Sequence, residues 1–490
     1  MVLVPVVAGL FLCAAPASAD TLEEAVLKAY ENNPGLEADR ALQRAGEEAV
    51  VQAQSLYGPT INLTATHEFV FSRSHIGEGV APIEQDGFST GAELELLQPL
   101  FTGGRLAANV NLAEARVLGQ REDLRGTSQN LLLQVISAFV GLRRDIELYQ
   151  VALENYQLLL QQRDLTASRL ALRDSTAPDV DQTDNRVEVA AGRVIDARAA
   201  VEGSAASYRN LVGEYPDTLV APPPLPPLPP LEELYLVGEA NNPEFRSAQF
   251  IELASRAQLA GARAALNPRI DSEVTAGRAP LSPYANSQYA EQVTAGVSLT
   301  MPLYSGGQLI SRVRESLERN VAAQEFVEQS RRDMRTALAS DWNRMQASSR
   351  SLPRYSAAVA AAQRAIAGVQ QQETAGIRTL RDVLDVTNDL LNARTAATQA
   401  EADLYLAHAN VLRDAGLLTI DVFAPRAEYD PASDRPEAAA IAGYPFRALL
   451  DPIDELFVVD SVRPADVEVE NDPQYDAGPA LADPLPAASQ

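Results

Sequence analysis

Residue types able to act as nucleophiles, general bases or thiolate metal ligands are scarce in this 490-residue chain: one cysteine, Cys13, and three histidines, His67, His75 and His408. A catalytic triad or a metal centre needs such groups clustered with carboxylates at ligand spacing. No such cluster is visible, so the sequence predicts no enzyme, no metal site and no cofactor. The carboxylates that draw notice are Asp382 and Asp385 in "RDVLDV". Three residues apart on a helix, they share one face. On their own they read as a charge at a helix N-terminus, where the helix dipole favours it, and a solvated neighbour. The net charge of −26 argues against nucleic acid, whose phosphates need a basic surface.

The first elements to settle are those that fix the compartment. Residues 1–19 carry an apolar run and then Ala17-Ser18-Ala19, which reads as a secretory signal peptide with its cleavage site. No Lys or Arg precedes the run, a departure from the usual pattern. Cys13 lies inside this segment and follows Leu12 rather than a small residue, which argues against lipid attachment. The mature chain then has no thiol for a disulfide. Nothing after the signal offers about 20 uninterrupted apolar residues, so a span of the membrane would have to be a β-barrel.

A repeat organises the rest. "NNP" at Asn32–Pro34 returns at Asn241–Pro243, an offset of 209, and Pro59 returns at Pro268. Further on, "LQPLFTGGRL" (Leu97–Leu106) returns as "TMPLYSGGQL" (Thr300–Leu309) at an offset of 203, which also links Asp179-Val180 to Asp382-Val383. Insertions collect in loops, so a constant offset from Pro99 to Asn185 marks packed elements of fixed length. The sequence predicts a first repeat over 20–213, a stiff proline-rich linker over 214–230 and a second repeat over 231–416.

Each half joins two periodicities. Leu132, Val135, Phe139, Leu142, Ile146, Tyr149, Leu153, Tyr156 and Leu160 alternate in steps of three and four, a heptad seam. Leu338, Trp342 and Met345 fall in the same register of the second half. A helix of roughly 68 residues would be about 100 Å long. Elsewhere the period is two: "INLTATHEF" and "FSTGAELEL" in the first half, Ile270–Ala276 and Val293–Met301 in the second. Four such strands suit a tilted membrane-spanning sheet, apolar outward and polar toward a lumen, though a half-buried soluble sheet alternates likewise. Four strands cannot close a transmembrane barrel, so several chains would have to contribute. Pro99, Gly103, Gly104 and Pro302, Gly306, Gly307 would mark the joints where strand turns into helix, proline ending the strand and the glycines permitting the redirection.

The doubled "PL[FY]-x-GG", the long heptad helices and "AGIRTLRDVLDVTNDLLNAR" (Ala375–Arg394) together resemble the TolC-like outer-membrane channel family over roughly residues 20–420. The resemblance implies a mixed α and β membrane protein. It would be a homotrimer with a 12-stranded transmembrane β-barrel in outer-membrane lipid, four strands per chain, continued by a coiled-coil tunnel across the periplasm. An adaptor (membrane fusion) protein would join it to an inner-membrane pump of the ABC or RND type. Proteins or small toxic molecules would leave through it. The resemblance also implies acidic rings at the periplasmic aperture, formed by Asp382 and Asp385, and a gate latch in which Arg378 bonds Asp179. Gly376 fits the tip turn that meets the adaptor. Three residues depart from that pattern: Glu373 stands where a lock tyrosine is expected, Pro178 sits beside Asp179, and Arg173 replaces the glycine of the first tip. A periplasmic adaptor or a coiled-coil scaffold without a channel is the competing reading. The tail, 417–490, is proline-rich and acidic, with 15 acidic and 4 basic residues from Asp421 onward, and is predicted to be disordered.

Overall fold

The computed structural model describes residues 21–75, 77, 81–173, 175–216, 218–424, 429 and 445–458. Residues 1–19, read above as a signal peptide, and much of the tail lie outside the described residues. Helices α1 (Leu22–Asn32) and α2 (Pro34–Ser55) lead into strands β1 (Thr60–Ser74) and β2 (Ile83–Phe101), followed by helices α3 (Arg105–Ala171) and α4 (Ala177–Val212). The same order then recurs: α5 (Leu231–Asn241), α6 (Pro243–Ala264), β3 (Arg269–Ser282), β4 (Ala285–Thr300), α7 (Gln308–Thr374) and α8 (Leu380–Asp414). A 3-10 turn (Ile420–Val422) and a helix, α9 (Phe446–Glu455), follow among the described residues. Helices α3 and α7 each run 67 residues. Among the described residues no helix is long and apolar enough to cross a membrane.

The chain divides into two compact units, one made of Met1–Glu37, Thr127–Gly238 and Arg335–Glu428, the other of Ala38–Gly126, Glu239–Met334 and Tyr429–Gln490. The first is helical. The heptad seam is its core: Leu132, Val135, Phe139 and Leu142 are fully buried, joined by Leu338 of α7 and Tyr208 of α4. Each such side chain contributes about 1.5–3 kcal/mol by leaving water. Toward the end of α3 the seam becomes half-buried, at Ile146, Tyr149, Leu153 and Tyr156. The proline-rich linker is tied down through its carbonyls, which have no partner N–H of their own kind to meet. Tyr405 donates to the Pro223 carbonyl at 3.0 Å, and His408 Nε2 donates to that of Pro226 at 2.8 Å. Burial lowers the His408 pKa. This histidine is structural.

The second unit carries an antiparallel sheet in the order β1-β2-β3-β4. Its register sorts the side chains by face. Leu63 pairs with Leu94, Leu94 with Ala276, and Ala276 with Val293, all on one face. On the other, Thr64 pairs with Glu93, Asn62 with Glu95, Glu95 with Thr275 and Thr275 with Thr294. A one-residue slip would exchange the faces entirely. The apolar face is bare within one chain, with Leu63 at 73% and Val293 at 76% exposure. Strands of 14 to 19 residues exceed the ten or so read from alternation.

Two expectations need correction. Pro99 does not end its strand: β2 continues to Phe101, and the pairing with β3 shifts register between Pro99 and Phe101. A bulge accommodates a residue that has no ladder N–H to give. Pro302 does follow the end of β4. The tail is also not structureless throughout, because α9 is a ten-residue helix. Phe446 and Leu450, one turn apart, supply an apolar face that the surrounding prolines and acids obscure in the composition.

Candidate functional site

Two regions hold the residues singled out by sequence, one in each unit. In the helical unit they lie at the turns joining α3 to α4 and α7 to α8. Both turns end in the same device. "TAPD" and "TLRD" place Thr176 and Thr379 as N-caps, with Asp179 and Asp382 three residues on. Asp382 Oδ2 accepts from the Thr379 N–H and hydroxyl, both at 2.9 Å. Asp179 Oδ2 accepts from the Thr176 N–H at 2.9 Å and its hydroxyl at 2.6 Å. These are reciprocal capping boxes, which satisfy donors a helix start leaves open. Both carboxyl pKa values lie below the ordinary range, Asp179 chiefly through the Thr176 hydroxyl and Asp382 chiefly through the Thr379 N–H.

Within one chain Arg378 and Asp179 do not meet. Arg378 Nε donates to Gln372 at 3.3 Å, and its guanidinium lies 3.9 Å from Asp382. Asp179 is engaged by Thr176 and Ser175. The two turns are tied instead by Arg169 of α3 and Glu373 of α7, a two-armed pair in which one arm measures 3.2 Å. Glu373 is the residue read above as standing where the resemblance leads one to expect a tyrosine. Its carboxylate is nearly buried, at 10% exposure. A second tie runs from Arg186 of α4 to Asp385 of α8 at 3.5 Å, with Arg381 at 3.8 Å on the same carboxylate. Higher up, Arg394 of α8 bonds Glu154 of α3 at 2.6 Å. Leu159, Val187, Ala190 and Leu384 pack beneath these pairs. No periodicity could have matched Arg169 with Glu373; the one signal was the unusual residue at 373.

The tip backbone is the same in both halves. Gly376 has φ +73° and Arg173, at the equivalent position, φ +59°. Beside them Leu172 and Ile377 project into open solvent.

In the other unit the two joints each carry a pair of glycines with positive φ. Gly103 and Gly104 have φ +65° and +92°, and Gly306 and Gly307 +64° and +85°. That left-handed pair is what turns strand into helix. Asn267 amide N donates to the Gly103 carbonyl at 2.8 Å, and Gln98 donates to the Tyr57 carbonyl at 2.9 Å, holding the first joint against neighbouring chain. Among the described residues no group of His, Cys, Asp and Glu is arranged to hold a metal.

A four-stranded sheet apolar on one face and polar on the other, unpaired at both edges among the described residues and joined by glycine turns to very long heptad helices, fits the outer-membrane channel architecture that the resemblance implies. The comparisons agree. The model of the "Outer membrane efflux protein" family matches residues 26–214 and 238–416. The chain is 30% identical over 429 residues to the outer membrane efflux protein BepC of Brucella suis biovar 1 (strain 1330), covering 86% of this chain and 91% of that one. It is 24% identical to the outer membrane protein TolC of Escherichia coli (strain K12), covering 89% and 91%. In fold it is similar to the Campylobacter jejuni CmeC outer membrane channel, with a TM-score of 0.73 at 12% identity over 86% of this chain and 89% of that one. The chain belongs to the outer membrane efflux protein family. It is an outer-membrane channel of a Gram-negative bacterium and works in efflux. That membership leaves the adaptor and scaffold readings without support.

Proposed function

We propose that three copies of the chain assemble into one conduit. Each contributes β1–β4 to a single 12-stranded barrel, and the helices of all three form a tunnel into the periplasm. The observation that carries this reading is the sheet: its faces are sorted by register, and among the described residues neither β1 nor β4 has an outer partner. Unpaired edges are costly in lipid and ring closure among copies removes them, while the bare apolar face suits contact with lipid tails. The two halves, alike in element order and length, read as one duplicated unit, which lets six similar hairpins complete the ring. A periplasmic adaptor meets the tip turns at Gly376, where Leu172 and Ile377 offer apolar side chains to cover. An inner-membrane pump of the ABC or RND type drives proteins or small toxic molecules through.

Asp385 and Asp382 become rings of three carboxylates near the periplasmic aperture. Asp385 is the more exposed of the two and takes no part in the capping box that occupies Asp382. Such rings attract cations by charge alone. Arg378 and Asp179, separate within a chain, would meet only between copies. In a planar bilayer, Asp385→Asn is expected to lower cation-over-anion selectivity without changing trimer yield. Unchanged selectivity would remove Asp385 from the aperture.

A further inference from the structure

The C-terminal segment lies on the first joint, and its contacts are those of a built attachment. Asp454 Oδ1 accepts from the Thr102 N–H at 3.1 Å and the Gly104 N–H at 3.2 Å, while Oδ2 accepts from the Thr102 hydroxyl at 2.5 Å. The Asp454 side chain is 3% exposed. One turn earlier, Asp451 Oδ1 accepts from the Tyr57 hydroxyl at 2.8 Å, and Tyr57 is fully buried. Leu450 and Phe446 pack with Tyr57, Leu106 and Val110. Phe457 meets Phe101 edge to face, with centroids 4.9 Å apart. Further back, Arg40 of α2 lies 5.1 Å over the Tyr429 ring. These contacts run from α2 and the turn after it, at Tyr57, to the joint between β2 and α3.

The partners belong to the first repeat alone. At the matching offsets the second repeat has Gln249 for Arg40 and Leu266 for Tyr57. The cation under the ring and the hydroxyl for Asp451 are both missing there. Its joint is correspondingly bare: Leu303 is 89% and Tyr304, the counterpart of Phe101, 90% exposed. A segment able to bind "PLFTGG" therefore has a written reason not to bind "PLYSGG".

We infer that the C-terminal segment is a strap that docks in cis on the first strand-to-helix joint, holds its two left-handed glycines in place, and leaves the second joint free to be covered by the next copy. The physical logic is satisfaction of donors. Two consecutive left-handed residues leave the Thr102 and Gly104 N–H groups turned out of both the ladder and the helix, and a buried unsatisfied N–H is costly. The Asp454 carboxylate meets both and the hydroxyl between them. The strap makes two nearly identical turns unequal: one is prefolded, the other is open. The part of the inference that concerns assembly rests on the trimer proposed above; the docking itself does not.

Hydrogen exchange read by mass spectrometry on the full-length chain in detergent tests both parts. Asp454→Ala, and a chain ending at Ala424, are expected to speed exchange of the Thr102 and Gly104 amides roughly tenfold, the size of a lost hydrogen bond to a charged group. Peptides over Tyr304–Leu309 should exchange as before, because no strap contact reaches them. Both variants should also give less heat-modifiable trimer on a gel. Unchanged exchange at Thr102 and Gly104 would overturn the strap. Faster exchange with normal trimer yield would overturn its role in assembly. To separate cis from trans docking, Phe101→Cys with Phe457→Cys in a Cys13→Ala chain is treated with a short thiol cross-linker. An intrachain link is expected, and a ladder of linked chains would overturn the cis arrangement. Should the wild-type chain prove not to be a trimer, the proposed conduit fails while the exchange result still reads the docking.

Discussion

Asp414 closes α8 with its carboxylate almost fully buried, bonded by Arg413 at 2.9 Å. Burial raises its pKa from 3.8 to about 6, helped by the nearby Asp341 carboxyl and opposed by Arg413. The folded state therefore holds this proton more tightly than the unfolded chain does. Its contribution to stability is complete below the unfolded value of 3.8 and is lost as pH rises through about 6. The apparent melting temperature is expected to decline between those values, and Asp414→Asn should flatten the decline. An equal slope in the variant would place the titration elsewhere. Arg173 poses a different residue-scale problem. A left-handed side-chain-bearing residue costs about 1–2 kcal/mol. Its φ of +59° nevertheless matches the +73° of Gly376. The departure seen in sequence changes the side chain and leaves the backbone alone. Arg173→Gly should relieve the strain, less about 0.5–1 kcal/mol of added chain entropy. Circular dichroism melts should then show a tip that is no less stable than the wild type.

Among elements, the pair that matters most at the tips joins helices whose residues stand far apart in sequence. Arg169 and Glu373 tie α3 to α7, and Arg186 and Asp385 tie α4 to α8. Exposed ion pairs contribute little, about 0–1 kcal/mol, but the Glu373 carboxylate is 10% exposed and held by two guanidinium nitrogens. A double-mutant cycle of Arg169→Ala and Glu373→Ala is expected to give a coupling of about 1 kcal/mol or more. Glu373→Ala should also raise single-channel conductance, as Arg378→Ala should if the latch forms between copies. Coupling near zero would return the tips to capping boxes alone. These elements also mark what could be read beforehand. The seam residues Leu132 to Leu142, the threonine caps and the glycine joints are legible because their causes are local or periodic. Arg169 with Glu373, and Asp454 with Thr102, are pairings across hundreds of residues that no period encodes. The ten residues of α9 were hidden because composition averages over a window wider than the helix.

For the whole molecule, the two joints offer the sharpest test, since the same substitution meets different surroundings. A Cβ at Gly103 would come within 2.4 Å of the Asn267 Cβ, and one at Gly104 within 3.0 Å of Val458. At Gly306 and Gly307 nothing lies within 4 Å, so only the left-handed backbone objects. Replacing Gly103 and Gly104 with Val therefore adds clash to strain and should block assembly. Replacing Gly306 and Gly307 should cost strain alone within a chain. That strain is about 1–2 kcal/mol per residue and is incurred as each chain folds, whereas the added side chains also meet the copy proposed to cover this joint. The second joint should thus weaken the trimer while still letting single chains fold, and the first should prevent the joint from forming at all. Trimer yield on an unheated gel, set beside exchange of the joint amides, separates these cases. Equal loss of yield and equal local exposure at both joints would mean that neither the strap nor the Asn267 contact distinguishes them.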